Sequence, residues 1–149
     1  MLQRFGWLAP LQLGIGFAAG GVYMISQGLA AKKEVRAALV AEQIISSAES
    51  RIPRALVQDA ETAAAQAEVI RTHSLRETEG KTFAQIPRGD PMRDYYLHAV
   101  TLRTALGLAI MGFKISDLVV GMGAFMTATG AALVMIAPAM RAANREEPD

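Results

Sequence analysis

Two long stretches of this chain contain no acidic, basic or histidine side chain, and they constrain its fold more than any other feature. The first covers residues 5–31 and the second covers residues 118–140. A helix needs about 20 mostly apolar residues to cross the hydrocarbon core of a bilayer, so both stretches are long enough. The sequence therefore predicts an all-α membrane protein with two transmembrane helices.

Composition and charge narrow the function classes. Hydrophobic residues make up 52% of the 149-residue chain, and the charged 19% is concentrated in its middle third. The net charge of +1 provides no basic field, so nucleic acid is not expected as a partner. Without cysteine the chain forms no disulfide, iron–sulfur cluster or thiolate zinc site. We expect no cofactor.

The first apolar stretch also has an alternative interpretation as a secretory signal peptide, because one arginine precedes it and small residues end it. The apolar region of a signal peptide is usually about 7 to 15 residues long, and residues 5–31 exceed that length. We therefore expect an uncleaved membrane anchor.

The segment between the spans is predicted to be mostly helical and to lie outside the bilayer over residues 32–103. Residues 32–47 are expected to continue the first helix, and alanine-rich residues 56–76 to form another. Residues 82–86 are expected to be short and extended. An Asp90 N-cap followed by a proline is typical of a helix start.

The last helix has no proline between Pro91 and Pro138, so it can run for about 45 residues, or roughly 70 Å. This is twice the bilayer core, which predicts a long antiparallel helical hairpin whose ends project from the membrane. Residues 104–117 would be an interfacial extension, and residues 141–149 a polar tail. A break near Ser116 is the alternative and would give a shallow interfacial helix.

Small residues recur every four positions in both spans, a pattern that lets helices pack closely in lipid. Gly16 and Gly20 form a GxxxG pair in the first span. The predicted packing residues of the second span are Gly123, Ala124, Thr127 and Ala128. A ligand site is not needed to explain any of them.

Two charged side chains stand at the predicted membrane boundary. Lys114 and Asp117 are three residues apart and share one helix face. Charges at that depth are costly and often functional, for example in ion paths. The simpler interpretation is an ion pair at the interface with Lys114 extending to the headgroups, which we favour.

Each of the two histidines has a carboxylate one helical turn away. His73 precedes Glu77 by four residues, and His98 follows Asp94 by four. If the two pairs converged, they would supply donors suited to zinc or iron. Isolated pairs of this kind are usually surface electrostatics worth a few tenths of a kcal/mol, so we expect no metal site.

Much of the chain beyond the first span resembles a group of small two-span membrane proteins common in actinobacteria, some of which carry an aromatic ring-opening dioxygenase label. The likeness rests on residues 59–70, His73, Glu79-Gly80-Lys81-Thr82-Phe83-Ala84, Pro87, Asp90-Pro91 and Leu102-Arg103-Thr104-Ala105-Leu106. It implies the two-span layout, a folded loop region and cytoplasmic termini. Glu79 and Phe83 depart from a pattern of Gly-Gly-Lys-Thr-Tyr, and the resemblance brings no activity or site residues.

The leading functional hypothesis is a non-enzymatic accessory or structural subunit of a larger membrane complex, such as a respiratory one. Its expected partners are the lipid bilayer and other membrane protein subunits. We expect the protein to lie in the cell membrane, with residues 32–103 on the extracytoplasmic side. A second hypothesis is a small metal-binding or redox membrane enzyme using His73 and His98. A third is a homo-oligomeric transporter or channel subunit with Lys114 and Asp117 along a path.

Overall fold

The computed structural model describes residues 6–146, apart from the side chains of 144–146, and forms three α-helices. They are α1 (Leu8–Ala41), α2 (Ala60–Glu77) and α3 (Pro91–Glu146). Within these residues there is no strand, only a single antiparallel bridge between Ile45 and Leu56. The predicted all-α class is therefore confirmed, while Phe5 of the first predicted span and residues 147–149 of the polar tail lie outside the described range.

Helices α1 and α3 are both long and apolar enough to cross a membrane. They contain 34 and 56 residues, or about 50 and 85 Å at 1.5 Å per residue. Only 11% of the most apolar 18-residue stretch of each is buried. A core helix of a soluble protein would bury most of such a stretch, so these exposed apolar surfaces favour a lipid environment.

Three boundaries differ from or refine the sequence predictions. Helix α3 is continuous through Ser116, so the alternative break there does not occur. Helix α1 ends at Ala41 rather than near residue 47 because Gln43 adopts a left-handed conformation, with a φ angle of 49°. Residues 82–86 form a turn instead of an extended segment, since the amides of Gln85 and Ile86 both donate to the Thr82 carbonyl.

The chain divides into two compact units. Unit 1 comprises Met1–Ala30 and Ser116–Asp149, and unit 2 comprises Ala31–Ile115. Helices α1 and α3 contribute residues to both units.

Unit 2 has a hydrophobic core in which α3 packs on the end of α1 and on α2. Val57 and Phe113 are its largest fully buried apolar side chains. The cluster comprises Leu39, Val57, Ala63, Leu106 and Phe113. Leu106 and Phe113 thus place one face of α3 in this core, whereas Leu108 and Met111 of the same stretch are exposed.

Local hydrogen bonds define where α2 and α3 begin. Asp59 caps α2, because its Oδ1 accepts from the Thr62 amide at 2.8 Å while Thr62 Oγ1 accepts from the Asp59 amide at 3.2 Å. The hydrogen bond from the Thr62 backbone amide also lowers the pKa of the Asp59 carboxyl. Asp90 caps α3 by accepting from the Met92 amide at 2.9 Å, which confirms the predicted start.

Candidate functional site

The close helix contact of unit 1 is made by glycines seven residues apart. Gly14, Gly21 and Gly28 of α1 are all buried. A Cβ atom added to Gly21 would overlap Thr127 Oγ1 and would lie 2.5 Å from the Gly123 carbonyl oxygen. Real Cβ atoms do not come this close, so only glycine fits there.

Helix α3 has the same spacing on its contacting face. Within unit 1, the positions that it buries at intervals of seven are Ser116, Gly123, Gly130 and Ala137. An added Cβ would lie 2.6 Å from the Gly21 carbonyl oxygen at Gly123, and 2.5 Å from the Gly14 carbonyl oxygen at Gly130. We call the five glycines of this contact the glycine seam, namely Gly14, Gly21, Gly28, Gly123 and Gly130.

The seam brings the two backbones together directly. Gly14 meets Gly130, Gly21 meets Gly123, and Gly28 meets Ser116. The residue numbers of the contacts therefore increase along α1 as the numbers of their partners decrease along α3. A contact repeating every seven residues keeps one face of each helix against the other at a shallow crossing angle.

The packing residues predicted from four-residue spacing divide between this seam and the outer surface. Gly123 belongs to the seam, and Thr127 Oγ1 donates to the Gly123 carbonyl at 2.8 Å, one turn back. Gly16 has no neighbouring atom within 4 Å of an added Cβ, and Gly20 has only the end of the Met126 side chain at 3.4 Å. Ala124 and Ala128 are exposed.

The seven-residue glycine repeat was the signal that the sequence prediction missed. A GxxxG search finds Gly16 and Gly20, whereas the residues that meet the other backbone lie at Gly14, Gly21 and Gly28. Spacing alone contains both patterns. Only the contact between the helices decides which of them is used.

Lys114 and Asp117 are both exposed on α3, one in each unit. Asp117 borders an open apolar depression of about 550 Å³ on the surface of unit 1. Its other lining residues are Leu118, Gly121, Met122, Phe125 and Met126.

The partner of His73 is Glu49 rather than the predicted Glu77. His73 Nε2 lies 2.6 Å from Glu49 Oε2, across 24 residues of sequence. This hydrogen bond lowers the pKa of the Glu49 carboxyl. His98 is exposed on α3. Among the side chains of residues 6–143, no group of three or more histidine, aspartate or glutamate side chains is placed to hold a metal ion.

The Glu49–His73 pair borders a cleft of about 400 Å³ in unit 2 that sequence analysis did not predict. The cleft lies between the loop that follows α1 and one face of α2. Its lining residues are Glu49, Arg51, Ala64, Ala65, Glu68, Val69, Thr72 and His73. No local pattern joins the loop to the helix, so only the tertiary structure identifies it.

Comparison of the chain with family models, with curated proteins and with solved structures finds no match.

Proposed function

We propose that this protein is a non-enzymatic accessory or structural subunit of a larger membrane protein complex, with a respiratory complex as one such assembly. In this proposal α1 and α3 form an antiparallel transmembrane hairpin in the cell membrane. Residues 32–103 lie on the extracytoplasmic side and both termini are cytoplasmic. The resemblance to two-span actinobacterial membrane proteins supports the same layout.

The observation that carries the proposal is the glycine seam. Its backbones approach within van der Waals range, since an added Cβ at Gly123 would lie 2.6 Å from the Gly21 carbonyl oxygen. Two helices packed this closely leave no channel between them. Close packing of small residues is also the main attraction between helices in lipid, so the hairpin is suited to be a rigid lateral packing element.

Small residues that do not belong to the glycine seam lie on the outer surface of the hairpin. Gly16, Ala124 and Ala128 are exposed, and an added Cβ at Gly16 meets no atom within 4 Å. Outward small residues permit another membrane helix to approach closely. These positions are therefore where we place the contact with partner subunits.

Leucine substitutions on the outer surface test this proposal. Gly16→Leu and Ala124→Leu add bulk where the isolated chain has space, so insertion and the seam should persist while partner subunits are lost on purification in mild detergent. Met122→Leu is the matched control, because Met122 is 50% exposed and the exchange conserves volume. Migration of the unmodified protein as a monomer without co-purifying subunits would contradict the proposal.

Cysteine labelling tests the orientation separately. The chain contains no cysteine, so each introduced thiol is the sole target. Ala48 and Arg88 are suitable positions because both are exposed, whereas nearby Ser50 is 7% exposed and would react poorly. Both thiols should react with a membrane-impermeant reagent in intact cells. Labelling only after lysis would place the loop in the cytoplasm.

A further inference from the structure

The cleft of unit 2 is built on an ordered loop. Residues 44–57 fold back on themselves, with the Val57 amide donating to the Ile44 carbonyl at 2.8 Å and the Ser46 amide to the Ala55 carbonyl at 2.8 Å. The buried Ser46 hydroxyl also accepts from the Ala55 amide at 2.9 Å. A loop held by bonds across its base presents its tip in a defined position.

Two contacts fasten the loop tip to α2. The Ser47 amide donates to Gln66 Oε1 at 3.1 Å, and Glu49 Oε2 lies 2.6 Å from His73 Nε2. Gln66 and His73 are seven residues apart and so lie on the same side of α2. The cleft lies beside the Glu49–His73 contact, and Ala64 and Ala65 also line it.

The charged side chains around the cleft differ in whether they have a hydrogen-bond or ion-pair partner. Glu49 is engaged by His73, and Glu68 Oε1 lies 3.3 Å from Arg71 Nη1. Arg51, in contrast, is exposed, and its side chain makes no hydrogen bond or ion pair with the side chains that the structure describes, those of residues 6–143. An unpaired guanidinium beside a cleft is available to an anion, and its fork of donors matches a carboxylate.

The remaining lining residues select among anions. Ala64, Ala65 and Val69 form an apolar floor, which favours a ligand with an apolar portion. Glu49 and Glu68 repel any anion, and a dianionic phosphate more strongly than a monoanion, so Arg51 offsets this repulsion more readily for a monoanion. The volume of about 400 Å³ is within the usual range for small-molecule sites.

We propose that this cleft binds a small monocarboxylate with a short apolar chain. The Arg51 guanidinium holds the carboxylate, and the apolar chain lies against Ala64, Ala65 and Val69. This site is independent of membrane assembly, since all its residues belong to unit 2. The carboxylate can come from a soluble short-chain acid or from a fatty acid of the membrane.

Butanoate is the probe for the test, because it combines one carboxylate with a short chain. The full-length protein in lipid nanodiscs is titrated and the imidazole proton resonances are followed by NMR. The chain has two histidines, of which His73 lines the cleft and His98 does not. Saturable shifts are expected at His73 alone, with a dissociation constant of about 1 mM or tighter.

Two variants assign the contacts. Arg51→Gln removes the cation and should weaken butanoate binding by about tenfold or more. Arg54→Gln is the matched control, because Arg54 lies on the same loop, is exposed and does not line the cleft, so affinity should stay within about twofold. Ala64→Leu fills the floor and should also weaken binding while leaving the Glu49–His73 contact intact.

Three results would overturn the proposal. They are no saturable shift at His73, equal shifts at both histidines, and a response to inorganic phosphate or butylammonium as strong as that to butanoate. A chain-length series then identifies the source. Affinity that levels off once the chain fills the cleft indicates a soluble short-chain acid, whereas affinity rising steadily to octanoate and decanoate indicates a membrane fatty acid.

Discussion

Substitution of Gly21 by alanine is the sharpest test of the glycine seam. The added methyl group would lie 2.5 Å from the Gly123 carbonyl oxygen, and ordinary contact begins at 3.4 Å. The difference, 3.4 − 2.5, requires the backbones to separate by about 0.9 Å. The Thr127 hydroxyl cannot turn away freely because it is hydrogen-bonded to the same carbonyl at 2.8 Å.

The expected cost follows from that separation. A gap of about 0.5–1 Å forfeits a quarter to a half of the dispersion energy of each atom pair, and overpacking typically costs about 1–3 kcal/mol. Alanine also gains about 1 kcal/mol in intrinsic helix propensity over glycine. Gly16→Ala has the same gain in helix propensity but no steric clash, since its added Cβ meets no atom within 4 Å. Gly21→Ala should therefore be about 1–3 kcal/mol less stable than Gly16→Ala.

The single tryptophan of the chain provides the assay. The Trp7 ring centre lies 4.8 Å from Arg141 Cζ, so its fluorescence should change when α1 separates from α3 in unit 1. Purified protein in mild detergent is unfolded by titration with dodecyl sulfate, and the midpoints of the two variants are compared. Gly130→Ala should behave like Gly21→Ala, because its added Cβ lies 2.5 Å from the Gly14 carbonyl oxygen. Equal midpoints for the seam and control variants would refute the reasoning.

Three further predictions concern unit 2, each measured by the helical circular dichroism signal during denaturation in mild detergent. Phe113→Ala should cost about 3–5 kcal/mol, because Phe113 is 1% exposed in the core; a loss below about 1 kcal/mol would contradict this burial. Asp59→Ala should cost about 1 kcal/mol through loss of the helix cap. Because the pKa of Asp59 is lowered by folding, that contribution is complete above the unfolded value of 3.8 and lost as pH falls through the folded value, so the variant should differ least in acid. Gln43→Gly should gain about 0.5–1 kcal/mol by relieving the left-handed φ of 49°, whereas Gln43→Ala should gain nothing.

Features that depend on neighbouring residues could be predicted from the sequence. The absence of charge over residues 118–140 requires no knowledge of the fold to indicate a helix able to cross a bilayer. The same holds for the start of α3, where Asp90 precedes a proline and its carboxylate accepts from the amide two residues on. Such signals are local, so the sequence by itself determined the all-α class and the two long apolar helices.

Features that depend on contacts between distant residues were decided only by the tertiary structure. Glycines occur at several spacings in α1, and only the approach of α3 selects Gly21 over Gly16 for backbone contact. His73 has a carboxylate four residues away, yet its partner is Glu49 because the loop folds onto α2. The cleft beside Arg51 exists for the same reason. Which faces meet depends on the free energy of the whole packing arrangement, and a one-dimensional pattern does not contain it.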